Sequence, residues 1–167
     1  MDFFSQNKIV AYNNPIDCIE DHIHKFDVEL FRDTADQLLL KYRGSWSNHE
    51  IVIKWDEINK VINISSCFDL EIKTKIKKDI YSVVSSYNEK VNLGYFHYCS
   101  QHQEIFFKYQ VSIKGLNYMT IEQIEDLLSV VIKECDRFFP IFLIQFSKKQ
   151  TERPDLQNSL LDTHGQA

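Results

Sequence analysis

Glycine and proline are scarce in this chain. Its 167 residues include four glycines and three prolines. So few chain-breaking residues argue against long disordered linkers. Four scattered glycines also cannot build either of the common glycine-rich loops that bind nucleotide phosphates. The sequence therefore predicts one compact unit with no nucleotide-binding loop.

Paired cysteines are absent too. The four cysteines are far apart and form no Cys-x-x-Cys pair: Cys18, Cys67, Cys99 and Cys135. The spacing therefore indicates neither a structural zinc site nor a redox motif, and we predict no cofactor.

One metal alternative is left open by the positions of histidine and cysteine. Cys18 and His22 lie four residues apart on a predicted helix, and His97 and Cys99 lie two apart on a predicted strand. Each pair would point in one direction. If the two pairs met, they would supply four zinc ligands.

Long apolar runs and clustered positive charge are also missing. The longest apolar run, residues 138–146, is much shorter than the roughly 20 residues that a helix needs to cross a bilayer. The first residues lack the basic and apolar regions of a secretory signal. The net charge is −5, which does not favour nucleic acid as a partner. We therefore predict a cytoplasmic protein that binds neither membrane nor nucleic acid.

Catalytic signatures are not evident either. No serine or cysteine has the Gly-x-Ser-x-Gly context or a comparable nucleophile motif. The carboxylate pairs, such as Glu20 with Asp21 and Glu125 with Asp126, are sequence neighbours that do not face one another on a helix. The sequence therefore predicts that the protein is not an enzyme.

Hydrophobic periodicity predicts an α+β fold. Helical spacing marks segments that start near Asn14, Thr74 and Thr120, the first with Asn14 as its N-cap and the last with a capping box from Thr120 to Gln123. Alternation marks strands in between, and their short connections require antiparallel pairing. The predicted order is α-β-β-β-β-α-β-β-α, with a mostly antiparallel sheet of about five to six strands. Pro140 is predicted to kink or end the last helix.

The predicted domain is flanked by two less regular segments. Residues 1–13 form an N-terminal extension, residues 14–147 the single domain, and residues 148–167 a polar C-terminal tail. The hydrophobic content of 44% is enough for one core.

Aromatic residues exceed what a minimal core needs. The chain has 12 Phe, 8 Tyr and 2 Trp. Several of them fall off the predicted inner faces or surround the proline, and these are candidate contacts with a partner or a second copy: Phe96, Tyr98, Phe106, Phe139 and Phe142. The alternative is that the protein's own helices cover both faces of the sheet.

Scattered sequence pieces resemble a known family. The pieces are Asn14 to Asp17, Gly44 with Trp46, Cys67 to Asp69, Asn88 to Phe96, and Glu134 to Phe138. They resemble the YbjN family, which is labelled as bacterial sensory transduction regulators and has no reaction attached to it. The resemblance implies a fold similar to that of type III secretion chaperones, which are usually dimers.

Together these observations predict a non-enzymatic YbjN-like protein. It would act as a regulator or chaperone-like factor by binding another protein, and it would form a homodimer. The alternative is a module for a small ligand or a metal, with a pocket between the sheet and the helices.

Overall fold

The computed structural model describes residues 14–24, 28–68, 77–116 and 119–146. Within them the chain forms α1 (Pro15–Ile23), β1 (Glu29–Thr34), β2 (Gln37–Arg43), β3 (Asn48–Asp56), β4 (Val61–Phe68), α2 (Lys77–Asn88), β5 (Tyr95–Cys99), β6 (Glu104–Ser112) and α3 (Ile121–Phe146). The α+β class and the element order predicted from periodicity are confirmed. The predicted extension (1–13) and tail (148–167) lie outside the described residues.

The six strands form one antiparallel sheet. Their order is β1-β2-β3-β4-β6-β5. The first four strands follow one another as neighbours, and β6 then inserts between β4 and β5. In the β4–β6 pair, Val61 lies opposite Ser112 and Phe68 opposite Ile105. The segment carrying α2 therefore connects β4 to the far edge of the sheet.

All three helices pack on the same face of this sheet. Alternate residues of β2, β3, β4 and β5 are buried. Their side chains join those of the helices in one cluster that includes Ile19, Ile53, Ile64, Val131 and Phe138. We call this covered side the inner face, and the other side the outer face. Among the described residues, no helix lies on the outer face.

The helix starts follow the predicted capping. Asn14 accepts a hydrogen bond from the backbone of Ile16 at 2.9 Å. The Thr120 and Gln123 side chains each accept from the other's backbone N–H, at 3.2 and 2.9 Å respectively. These reciprocal bonds satisfy N–H groups that a helix start would otherwise leave unpaired.

The prediction that Pro140 could end the last helix is wrong, because α3 continues through it to Phe146. Proline removes one helical hydrogen bond, a cost of roughly 3 kcal/mol in a helix interior. The neighbouring Phe138, Phe139 and Phe142 side chains are buried in the core. Burial of large aromatic side chains contributes on the order of 2–3 kcal/mol each, which offsets that cost.

Candidate functional site

The β2–β3 turn is fastened to α3 through a single carboxylate, that of Asp136. The backbone N–H of Ser45 donates to its two oxygens at 3.0 and 3.1 Å, and the Ser45 hydroxyl donates at 3.1 Å. Nε2 of His49 lies 3.1 Å from Oδ1 of the same carboxylate. We call these three residues, Ser45, His49 and Asp136, the Asp136 clamp.

His49 occupies an unusual place for a polar side chain. It is 1% exposed, on the inner face at the start of β3. Its ring meets Phe68 and Phe139 edge-on, with centroids 6.1 and 6.0 Å apart. A buried imidazole is costly unless it has a polar partner. Asp136 supplies that partner, so the clamp and the aromatic core stabilise one another.

Gly44 precedes the clamp and leaves no room for a larger residue. A Cβ built at this position would lie 2.6 Å from Nε2 of His49 and would also overlap the Asp136 carboxylate. Its N–H donates to the carbonyl of Ser47 at 2.9 Å, which closes the turn. The clamp thus requires glycine at this site because the turn backbone runs directly against the two side chains.

The clamp does not have the geometry of a nucleophilic triad. In such a triad, the base contacts the nucleophile and the acid orients the base. Here Asp136 lies between the other two members, and the Ser45 hydroxyl donates to the carboxylate and not to His49. This arrangement positions the turn, and we assign it no chemical step.

An open depression of about 510 Å³ borders the clamp. It lies over the start of β1, the end of β2 and the start of β3. Its walls combine apolar and charged side chains: Val28, Glu29, Lys41, Tyr42, Arg43, Asn48, His49 and Glu50. Lys41 and Glu50 are cross-strand partners on its outer-face side, with their charged atoms 3.9 Å apart.

The outer face of the sheet carries an apolar stripe. Phe31, Leu39 and Val52 are consecutive cross-strand partners on β1, β2 and β3. Phe31 is 50% exposed. On the other half of the sheet, Phe106 pairs between Cys67 and His97 and is partly exposed. Tyr95 on the edge strand is 43% exposed. Ser65 and Lys108 lie between Val52 and Tyr95 in the strand register, so the outer face carries two separate apolar groups.

Four of the five predicted contact residues lie elsewhere. Phe96, Tyr98, Phe139 and Phe142 are at most 5% exposed. They point to the inner face, where Phe96, Phe139 and Phe142 pack around Phe68 and Tyr98 meets the ring of Tyr81 on α2. They belong to the core, since α2 and α3 cover that face, and they leave no surface for a partner. Phe106 alone remains on the outer face.

The four zinc candidates do not converge. Cys18 and His22 lie on α1, which packs against β2, β3 and α3. His97 and Cys99 lie on β5, the edge strand at the far side of the sheet, where His97 is exposed on the outer face. Cys18 instead donates to the carbonyl of Met119 at 3.6 Å, and His22 pairs with Glu125 at 3.4 Å. In the described part of the chain, no three His, Cys, Asp or Glu side chains form a metal-binding group.

The cysteines show no redox pairing. All four are free thiols. Burial raises the pKa of the Cys135 thiol to about 12, so this group stays protonated at neutral pH. The described helices include none that is long and apolar enough to span a bilayer.

Sequence reasoning missed the clamp. It identified Gly44 with Trp46, and the Glu134 to Phe138 stretch, only as separate matching pieces. The structure brings these two pieces together at the clamp, across 91 residues between Ser45 and Asp136. No local pattern reports such a contact. The available signal was a histidine on the apolar side of an alternating strand, at position 49, which requires a polar partner somewhere.

These features define a class: an α+β protein with a filled core, an uncovered sheet face and a turn clamped to its longest helix. Comparison with known families gives the particular assignment. The model of the YbjN family, described as "Putative bacterial sensory transduction regulator", matches residues 15–143. The chain belongs to the YbjN family.

Comparison with solved structures gives a distant match. The chain is similar to "Crystal structure of YbjN, a putative transcription regulator from E. coli", with 16% identity and a TM-score of 0.46. The match covers 73% of this chain and 91% of that one. No curated protein matches this chain.

Proposed function

We propose that this protein is a non-enzymatic regulator that acts by binding another protein through the outer face of its sheet. The observation that carries the proposal is the uncovered face itself, because all described helices lie on the opposite side. In the described part of the chain, this face of the six-stranded sheet exposes Phe31, Tyr95 and part of Phe106. Exposed apolar patches of this kind are typical of interaction surfaces.

Two details of this face support a protein partner. The ammonium groups of Lys41 and Lys108 lie over the rings of Phe31 and Phe106, at 5.7 and 5.9 Å from the centroids. Each lysine covers part of a ring, and Phe31 still remains 50% exposed. Aromatic residues are enriched at protein interfaces and lysine is depleted there, so a partner would displace the two ammonium groups from the rings.

The family assignment supports the regulatory role, since the family is described as sensory transduction regulators. A homodimer and a cytoplasmic location belong to the same proposal. Four free thiols fit a reducing compartment. The alternative, a ligand module with its pocket between sheet and helices, finds less support because core side chains fill that space in the described residues.

Site-specific photo-crosslinking in the native host tests the proposal. A crosslinking amino acid replaces Phe106 in one variant and Ile58 in the other. Ile58 is the control because it is 93% exposed at the β3–β4 turn, away from the outer face. We expect one dominant protein to be captured from position 106 and not from position 58. Equal capture at both positions, or none at position 106, would contradict the proposal.

Substitution provides a second readout. Phe106→Ser should leave the circular dichroism spectrum and the unfolding midpoint nearly unchanged and should weaken capture of that protein by a crosslinker placed at Tyr95. Ile58→Ser should change neither. An unfolded Phe106→Ser protein would show instead that this ring is needed for the fold.

A further inference from the structure

The two edges of the sheet differ in how they are protected from pairing with a further strand. β1 and β5 are the outermost strands, and each has one side without a neighbouring strand in the described part of the chain. Natural proteins protect such edges with charged residues, bulges or covering groups. On β1, Glu29, Arg32 and Asp33 carry charges, and the register is interrupted between Arg32 and Thr34. β1 therefore has two of the usual protections.

The other edge strand, β5, has neither of them. Its sequence from Tyr95 to Cys99 contains no lysine, arginine, aspartate, glutamate or proline. Most of its residues are Tyr or Phe, which favour strands. Its pairing with β6 is regular, from Tyr95 opposite Lys108 to Cys99 opposite Glu104. The protection of this edge therefore has to come from another part of the chain.

The side chain of Asn88 supplies a covering group for β5. Asn88 is the last residue of α2, and its Nδ2 donates to the carbonyl of Phe96 at 3.0 Å. Its Oδ1 accepts from the backbone N–H of Phe96 at 2.7 Å. A side-chain amide has the same kinds of donor and acceptor as a peptide group. Asn88 therefore makes with Phe96 the two hydrogen bonds that a residue of an adjacent strand would make.

These bonds also show which way the backbone of β5 points. Residues along an antiparallel strand direct their N–H and C=O groups alternately to its two sides. The groups of Phe96 point to Asn88 and away from β6, so those of Tyr98 point to the same edge. In the described part of the chain, no other group forms a hydrogen bond with this edge. The edge is thus closed at Phe96 and open at Tyr98.

The short connection between α2 and β5 makes this contact possible. The backbone N–H of Lys90 donates to the carbonyl of Tyr87 at 2.8 Å, which tightens the end of the helix. Gly94 then has a φ of 81°, a backbone conformation that glycine adopts readily. The chain therefore turns back at once, and the start of β5 runs beside the side chain of Asn88.

We propose that Asn88 is an edge plug, whose amide takes the place of a strand and keeps β5 from pairing with the β5 of a second copy. Two-fold pairing centred on His97 would place Phe96 of each copy opposite Tyr98 of the other. Both residues would then exchange backbone hydrogen bonds, and Asn88 occupies the groups of Phe96 that this requires. The association that the plug prevents is not part of the proposed function, which concerns the outer face.

Analytical ultracentrifugation of the full chain tests the plug. Asn88→Ala removes the amide and should strengthen self-association at least about tenfold relative to the wild type. Asn63→Ala is the matched control, since Asn63 also bonds through its side chain, to Gln110, but lies on the interior strand β4. It should leave self-association unchanged. An Asn88→Ala protein that is folded by circular dichroism and associates no more than the wild type would overturn the proposal.

A charge on β5 shows whether the new contact forms at this edge. His97 is exposed on the outer face, and in the two-fold pairing it would lie opposite the same residue of the other copy. His97→Lys added to Asn88→Ala should restore wild-type behaviour, because like charges directly opposite one another destabilise a strand pair. His97→Lys alone should match the wild type. Association that persists in the double variant would place the contact elsewhere and overturn the proposal.

Amide hydrogen exchange of the wild-type chain gives a measurement that does not depend on whether Asn88→Ala folds. The N–H of Phe96, bonded to Asn88, should exchange at least about tenfold more slowly than the N–H of Tyr98 on the open part of the edge. Equal protection of the two would mean that another group closes the edge, and would overturn the plug. Capture at position 106 tests the proposed function separately, because it depends on the outer face and not on this edge.

Discussion

At the scale of single residues, Asp136 is the side chain whose loss should lower the stability of the fold most. Its carboxylate is the only partner found for Nε2 of His49 and for the Ser45 hydroxyl in the described residues. Removing it leaves Nε2 of the buried His49 without this partner, which costs more than the hydrogen bond itself contributes, whereas water can replace the carboxylate at the exposed Ser45. The three residues of the clamp therefore have different effects on stability when each is replaced.

Asp136→Ala should therefore lower the free energy of unfolding by about 2–4 kcal/mol. Urea denaturation followed by circular dichroism measures the change. Asp126→Ala, an exposed carboxylate on the same helix, is the control and should cost under about 0.5 kcal/mol. Equal effects of the two variants would mean that the clamp contributes nothing to stability.

The raised pKa of Glu134 leads us to predict how the free energy of unfolding depends on pH. Burial raises the pKa of its carboxyl group, and nearby Arg137 only partly counteracts the shift. A folded-state pKa above the unfolded value means that folding favours the protonated form. Stability from this group is therefore fully present below the unfolded pKa of about 4.3 and is lost as pH rises through the folded pKa.

Glu134→Gln should accordingly raise the unfolding free energy at pH 7, by less than about 1 kcal/mol for a partly exposed group. The gain should disappear below about pH 4, where the wild-type carboxyl is already neutral. Urea midpoints measured at both pH values test this. A gain of equal size at both would point to packing and not to ionisation.

The burial of Cys135 leads us to predict that its thiol reacts more slowly in the folded chain than in the unfolded chain. With a pKa of about 12, its thiol is ionised to about one part in ten thousand at pH 8, whereas an ordinary thiol is ionised to roughly a quarter. Iodoacetamide should modify Cys135 roughly a thousandfold more slowly in the folded protein than in urea. Peptide mass spectrometry reads each cysteine separately, and rapid labelling in the folded state would contradict the burial of this side chain.

At the scale of elements, the junction before β5 shows how closely helix and strand are packed. Gly94 follows α2 with a φ of 81°, and a Cβ there would lie 2.5 Å from the Phe107 ring and 2.8 Å from the Lys108 carbonyl. Gly115 has a similar φ of 85°, and a Cβ there would meet nothing within 4 Å. The two glycines therefore share a backbone requirement and differ in their surroundings.

Gly115→Ala should cost about 1–2 kcal/mol, the penalty of a left-handed backbone for alanine. Gly94→Ala should cost roughly 1–3 kcal/mol more, because overpacking is added to the same penalty and a backbone carbonyl cannot move aside. Thermal unfolding of the two variants gives the difference directly. Similar midpoints would show that the strand has room to shift.

The elements themselves were largely predictable from sequence. Periodicity located the described helices and all six strands, and the caps at Asn14 and Thr120 formed as expected, because these signals are local. The assignment of Phe96, Phe139 and Phe142 to a surface failed. That prediction assumed that aromatic residues beyond the needs of a minimal core are exposed. Instead, two helices on one face of the sheet create a core wide enough to enclose these rings.

The candidate site was less predictable for a physical reason. The clamp depends on a contact between a turn and a helix that only the complete topology brings together. Similarly, alternation showed that Phe106 faces away from its core neighbours, but not whether a helix would cover it. Only the packing of α1, α2 and α3 on one side shows that no helix among the described residues covers the outer face.

At the scale of the whole molecule, α3 is attached at two points along its length. Near its start, Glu125 lies 3.4 Å from His22 of α1, and in its second half Asp136 holds the β2–β3 turn. Between these points it packs on β4 and β6. The helix therefore connects α1 and the β2–β3 turn, early in the chain, with strands β4 and β6.

Unfolding should therefore be a single cooperative event. Tertiary signals from near-ultraviolet circular dichroism and helical signals from the far ultraviolet should share one urea midpoint, as in a two-state transition. Trp55→Phe serves as a check, since Trp55 is buried on β3 and its loss should move both midpoints together. Separate midpoints would show that α3 detaches from the sheet before the strands separate.

The long sequence separation within the Asp136 clamp also has a consequence for folding during translation. The β2–β3 hairpin leaves the ribosome long before the residue that fixes its turn, since Ser45 and Asp136 are 91 positions apart. Contacts between distant residues form late, because the intervening chain must be ordered first. During translation, the buried position of His49 and the fixed β2–β3 turn thus arise only once α3 has been made. A nascent or truncated chain that lacks Asp136 would leave Nε2 of His49 and the backbone N–H of Ser45 without this partner.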